Sequence, residues 1–160
     1  MTIPNFSMAN SHQFAVRTSD GLATITGQID FPTTSGQSQK NPLVIIVSGG
    51  GLIDRDGFLG EGNSEKDLVY KDLAQSMVQR GFAVLRWDYR GVKCNELNAP
   101  PCVDCKSDLE KARHYVKSCI DNQIRKTVTT ENFLDDIALI YDYGRNFIQT
   151  DSEKVIVMGH

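Results

Sequence analysis

Two glycine-bearing segments hold the residues whose types and spacing suit chemistry. The first is Ser48-Gly49-Gly50-Gly51, directly after the apolar run Leu43-Val44-Ile45-Ile46-Val47. Successive glycines let the backbone fold tightly and present N–H groups without side-chain clash. Such donors suit the stabilisation of an oxyanion in acyl transfer; the plainer reading is a turn and nothing more. Two phosphate-binding alternatives fail on the residues themselves. Leu52-Ile53-Asp54 follows the glycines, so Gly-x-Gly-x-x-Gly is not completed, and no Gly-Lys-Ser/Thr follows for a Walker loop. The second segment is Gly159-His160, after Val155-Ile156-Val157-Met158. In the nucleophile elbow Gly-x-Ser-x-Gly, a serine stands on a sharp strand-to-helix turn. Gly159 and His160 fill the first two positions of that pentapeptide, so the expectation is an amino-terminal half whose nucleophilic serine would come next.

Charged residues crowd the stretch after the glycines. Asp54, Arg55 and Asp56 can hold a loop through charge-assisted hydrogen bonds. Loop charges more often structure than catalyse, and Asp88 and Arg90 are read in the same way. The three histidines are His12, His114 and His160. His12 lies beside a first strand and His114 on an exposed-looking helix, so neither suits a triad base. Cys94, Cys102, Cys105 and Cys119 follow a Cys-x7-Cys-x2-Cys-x13-Cys pattern. A zinc site normally needs two close ligand pairs, and only Cys102/Cys105 is close. Free thiols are the preferred reading, with disulfides inside the cluster left open; no metal and no cofactor are expected.

The elements that must position these residues follow from periodicity. His12–Thr18 and Leu22–Phe31 read as strands joined at Asp20-Gly21, a strong hairpin signal. Leu43–Val47 is a β-branched run suited to a parallel strand buried on both faces. A helix is expected from Ser64, with Ser64-x-x-Asp67 as capping box. Its core stripe is Val69, Leu73 and Met77 with Ala74 and Val78, and Gly81 ends it. Phe82–Trp87 is the next strand and completes a βαβ unit. Ser107-x-x-Glu110 caps a further helix with Leu109, Ala112, Val116 and Ile120 inward. A helix over Thr130 to Phe147 turns Phe133, Ile137, Ile140, Leu134 and Ala138 inward, and feeds a buried strand at Val155–Met158. That last strand is apolar on both faces, and a doubly covered parallel strand needs its own crossover helix.

Composition narrows the classes. The chain is 160 residues long, 40% hydrophobic and 23% charged, which suits one globular domain over residues 1–160. Seventeen basic against twenty acidic residues, with no basic stripe set among aromatics, speaks against nucleic acid. Nothing in the sequence is apolar for long enough to span a membrane. The first residues lack a secretory pattern, so a cytoplasmic location is the default.

With these landmarks in place, a family resemblance emerges. Ser48-Gly49-Gly50-Gly51-Leu52-Ile53-Asp54-Arg55-Asp56-Gly57 resembles the Gly-rich, Asp-Arg-Asp-Gly loop of a group of α/β-hydrolase esterases. Arg80-Gly81-Phe82-Ala83-Val84-Leu85-Arg86-Trp87-Asp88-Tyr89-Arg90-Gly91 resembles the Asp-x-Arg-Gly segment after that fold's fourth strand, and Val155–His160 resembles its run into the elbow. The chain departs from the pattern at Val92-Lys93-Cys94-Asn95, where Gly and Ser usually follow. It departs again in a long, Cys-bearing excursion over 94–129, read as a small cap or surface decoration. The resemblance implies a mostly parallel α/β-hydrolase sheet with an antiparallel amino-terminal hairpin, its carboxyl-terminal half lying beyond this chain. Strand 43–47 would lie between 82–87 and 155–158. It further implies a serine esterase or related acyl hydrolase acting on a small-molecule ester or thioester. Gly50 would supply an oxyanion N–H, with Gly51 as second choice, and the triad would lie after His160, leaving these 160 residues inactive alone. The competing reading is a non-catalytic binding module on the same scaffold; a nucleotide-binding α/β protein is disfavoured by the incomplete fingerprints.

Overall fold

The structure is a computed structural model that describes residues 10–33, 40–49, 54–57, 69–92, 118 and 120–159. Strands β1 (Asn10–Arg17), β2 (Thr24–Phe31), β3 (Asn41–Val47), β4 (Ala83–Trp87) and β5 (Thr150–Gly159) form a single sheet in the order β1-β2-β4-β3-β5. Helices α1 (Val69–Val78), α2 (Asn122–Thr127) and α3 (Thr130–Arg145) accompany it. β3 pairs in parallel with β4 on one side and β5 on the other, while β1 and β2 run antiparallel at the β4 edge. The central place expected for 43–47 and the antiparallel edge are both present.

Alternation along the inner strands explains why two helical layers form. Leu43, Ile45, Ala83, Leu85 and Trp87 point to the face covered by α3, where Ile140 is fully buried. Val44, Ile46 and Val84 point to the other face, against Ala74 and Val78 of α1. Strands buried on both faces in this way read as continuous apolar runs. α3 lies close on the sheet because Gly144 has no side chain; a Cβ there would come within 2.7 Å of Leu85 Cδ1 and 3.0 Å of Leu43 Cδ2. Thr129 and Asn132 form a reciprocal capping box at the start of α3. Gly81, at φ 92°, stops α1, with the Phe82 N–H reaching back to the Met77 carbonyl.

Several expectations need correction. Val69 is 57% exposed, because α1 turns the Tyr70/Ala74/Met77/Val78 side to the sheet and leaves Val69 at the margin. Leu134 and Ala138 face away from the sheet; Asp136 and Gly144 hold inward positions on α3 instead. Phe133, Ile137 and Ile140 do pack on the core as expected, so only the edge of the face is shifted. Ile120, expected on a helix, forms an isolated antiparallel bridge with Val92, and the short α2 after it is capped by Asp121. β5 starts at Thr150 and not Val155, since Thr150 and Asp151 pair with Asn41 and Pro42 before the register shifts. It is also an edge strand among the described residues, so Ile156 and Val157 are about half exposed where burial was expected. The Ser64 and Ser107 caps and all four cysteines lie outside the described residues. Among the described residues, no helix is long and apolar enough to cross a membrane.

Candidate functional site

β3 and β5 end side by side. Val47 is the register partner of Gly159, so the residues that leave these two strands start about 5 Å apart, the spacing of paired strands. Ser48 opens the glycine loop on one strand, and Gly159 precedes His160 on the other. β4 runs parallel on the far side of β3, which places Asp88, Tyr89 and Arg90 at the same rim of the sheet. Gly50, Gly51 and His160 lie outside the described residues, whereas Gly49, the 54–57 turn and Gly159 are described.

The turn after the glycines is built from its own residues. The Asp54 carboxylate accepts from the Asp56 N–H at 3.0 Å, and the Asp54 carbonyl accepts from the Gly57 N–H at 3.0 Å. Gly57 has φ 89°, a left-handed conformation that a side chain strains. Its α-carbon also lies against Tyr70, where a Cβ would stand 2.9 Å from the ring.

Buried ion pairs tie this turn to the sheet. Asp88 is fully buried and accepts from the Arg55 backbone N–H at 2.9 Å, from Arg55 Nε at 2.9 Å, from Arg55 Nη2, and from the Thr26 hydroxyl at 2.6 Å. Arg86, also buried, donates to Asp56 of the turn and, at 2.7 Å, to Asp30 of β2. Two residues past Asp88, Arg90 is held between Asp136 of α3, at 2.6 and 2.8 Å, and Asp20 of the hairpin turn. The Asp136 hydrogen bonds, aided by Asp20, push the Arg90 guanidinium further up from its already high value. Three arginines, each with a buried side chain and carboxylate partners, thus line this rim.

Sequence reasoning named Arg55, Asp56, Asp88 and Arg90 but missed Asp30, Thr26, Asp20 and Asp136, since long-range partners leave no local pattern. Arg86 was hidden inside an apolar strand. The two tyrosines were missed as well. The Gly49 N–H donates to the Tyr70 hydroxyl at 3.4 Å, and the Tyr89 hydroxyl donates to the Gly49 carbonyl at 3.2 Å and the Ser48 carbonyl at 3.5 Å. Of the three successive glycines, Gly49 therefore has its N–H engaged. The Tyr89 ring stacks on Phe133 at 5.1 Å and on Trp87 at 5.7 Å. Among the histidines, His12 lies on β1, exposed, 3.2 Å from the Tyr143 hydroxyl and away from this rim.

No family model matches this chain, and no curated protein sequence does. Solved structures do. A hypothetical protein from Pseudomonas aeruginosa superposes with TM-score 0.60 at 14% identity over 97% of the chain. A putative dipeptidyl aminopeptidase IV from Bacteroides ovatus gives 0.59 at 13% identity over 98% of the chain. A dienelactone hydrolase-like promiscuous phosphotriesterase from metagenomic libraries gives 0.51 at 14% identity over 93%. The chain spans 36%, 18% and 48% of the length of these three structures, respectively. At such identity the likeness is one of fold, and it places the five-stranded mixed sheet with its helices among α/β-hydrolase-type architectures.

Proposed function

We propose that the whole protein is a serine-dependent acyl hydrolase, a carboxylesterase or thioester hydrolase, whose oxyanion site is the loop after β3. The observation that carries this reading is the pairing of Val47 with Gly159. A donor loop and a nucleophile elbow must face one reacting carbon from adjacent positions, and this register sets their strands next to each other at one level. Gly50 supplies one oxyanion N–H, with Gly51 as the alternative; the engaged N–H of Gly49 leaves the role to those two. Asp54, Arg55 and Asp56 structure the loop and do not react. The serine after His160 attacks the carbonyl, a histidine base accepts its proton and an acid orients that base. The substrate is a small-molecule ester or thioester, and no metal or organic cofactor takes part in this chemistry. Neither nucleic acid nor membrane is a partner, and the location is cytoplasmic.

The test uses the full-length encoded protein beside the 160-residue chain. The full-length protein should hydrolyse p-nitrophenyl butyrate and take up one equivalent of a fluorophosphonate probe in the folded state. The 160-residue chain should take up none, because no serine in it stands in a Gly-x-Ser-x-Gly elbow. A full-length protein that is folded yet neither labelled nor active overturns the reading in favour of a binding module.

A further inference from the structure

The chain contains two Asp-Gly steps, Asp20-Gly21 in the hairpin turn and Asp56-Gly57 in the charged turn after the glycines. Such a step carries a chemical weakness. Glycine has no side chain to obstruct its own nitrogen, which can reach the γ-carbon of the aspartate before it and close a five-membered succinimide. The new C–N bond forms as the γ-carboxyl loses its hydroxyl, which leaves as water with the proton from the glycine nitrogen. Water then adds back to either carbonyl of the ring. One opening restores aspartate; the other leaves isoaspartate, with the main chain running through the former side chain at unchanged mass. The step needs a carboxyl group that is free to turn and to take up a proton.

The two steps are alike at glycine and differ at the carboxyl group. Both glycines have positive φ, 68° and 89°, and both N–H groups are engaged, Gly21 on the Thr18 carbonyl at 2.9 Å and Gly57 on the Asp54 carbonyl at 3.0 Å. The aspartate side chains are also equally open to water, at 25% for Asp20 and 26% for Asp56, so solvent access does not separate them. Hydrogen bonding does. Asp20 Oδ1 accepts from the Thr18 hydroxyl at 2.6 Å and the Leu22 N–H at 3.0 Å, while Oδ2 accepts from Arg90 and from the Asn132 amide at 3.3 Å. Donors on both oxygens, one of them charged, hold a carboxylate ionised and in place. Among the described residues, the Asp56 carboxylate accepts from Arg86 alone, on Oδ1, and Arg86 is shared with Asp30. Its second oxygen is left to take a proton and depart. We propose that Asp56-Gly57 is where this protein forms isoaspartate while folded, and that Asp20-Gly21, gripped on both oxygens, is protected. The product lengthens the main chain between Arg55, anchored on Asp88, and Gly57, packed against the Tyr70 ring, so the aged protein should melt at a lower temperature.

The test needs only the unmodified full-length protein, held folded at neutral pH and digested after increasing times. The same-mass isoaspartyl peptide should accumulate at Asp56 several-fold faster than at Asp20, with methyl transfer by an isoaspartyl methyltransferase identifying the product. In urea the two steps should react at similar rates, because both are Asp-Gly and the folded-state donors are gone. Asp56→Glu keeps a carboxylate for Arg86 but would have to close a larger ring, so it should remove most of the isoaspartate formed by the folded protein. Arg90→Lys should speed the reaction at Asp20 several-fold, and Thr18→Val, which strips the other oxygen, serves where the lysine variant does not fold. Equal rates at the two sites in the folded protein, or a faster Asp20, overturn the proposal. So does a folded protein that forms no isoaspartate at Asp56 while the urea-treated chain does. No activity is measured, so the acyl-hydrolase reading can fail without touching this result.

Discussion

Asp88 shows how much one side chain can fasten. It is fully buried, lies just past the end of β4, and accepts from Thr26 of β2 and from both the backbone and the side chain of Arg55. Removing one member of a buried ion pair leaves the other charge without compensation, at a cost of about 3–5 kcal/mol. Asp88→Ala should therefore lower unfolding stability by about that amount in urea titrations, whereas Arg55→Met combined with Asp88→Leu should cost less than the two single changes summed. A loss below about 1 kcal/mol for Asp88→Ala would mean that Arg55 finds water instead. Asp20 works at the opposite end of the rim. The Thr18 hydroxyl first, then the Leu22 N–H and Arg90, hold its carboxyl well below the usual carboxylate range. A carboxyl depressed in the folded state adds stability above its unfolded value, near pH 4, and gives it up as pH falls towards the folded value. Melting temperature should thus drop from about pH 5 downward, and Asp20→Asn should flatten that drop. Some slope should survive, because the Glu153 N–H, followed by Lys154, depresses Asp151 as well. A slope unchanged by Asp20→Asn would remove Asp20 from the acid response.

At the scale of elements, the packing of α3 offers the sharpest test. Gly144 faces Leu85 and Leu43 at distances that a methyl group could occupy only if two leucine ends moved. Alanine in a helix gains up to about 1 kcal/mol over glycine, which a small leucine shift can offset. Gly144→Ala should come out within about 1 kcal/mol of wild type, while Gly144→Val should destabilise by about 1–3 kcal/mol through overpacking. Thermal melts of both variants decide it, and a neutral valine would show that α3 can lift from the sheet. The same helix shows what sequence can and cannot reveal. β3 and β4 were legible because strands covered on both faces must be apolar at every position. The hairpin was legible through Asp20-Gly21, where Gly21 has φ 68°. α3 was legible as a helix and, through Phe133, Ile137 and Ile140, as a face; the edge of that face was misjudged at Leu134 and Ala138, because a buried aspartate and a bare glycine also hold inward positions. The bridge between Val92 and Ile120 and the six-residue α2 left no periodic signal to read. In the candidate site, the glycines and the charged turn stood out by composition. Their partners did not, since Thr26, Asp30, Tyr70 and Asp136 meet them only after the chain has folded.

For the whole molecule, the sheet order β1-β2-β4-β3-β5 dictates when each strand can find its neighbours. β2 pairs Gly27 with Trp87, and β3 pairs Val47 with Gly159, so the interior of the sheet is assembled from segments distant along the chain. Closing long loops has an entropic cost that must be met before non-local contacts repay it, which makes such topologies slow to fold. During synthesis the hairpin emerges first and waits with one edge open until β4 appears. β3 acquires its second neighbour only when β5 has left the ribosome. Of the strands that end with a neighbour on both sides, Leu43–Val47 thus stays half-paired longest in the nascent chain, and is the one most in need of a chaperone.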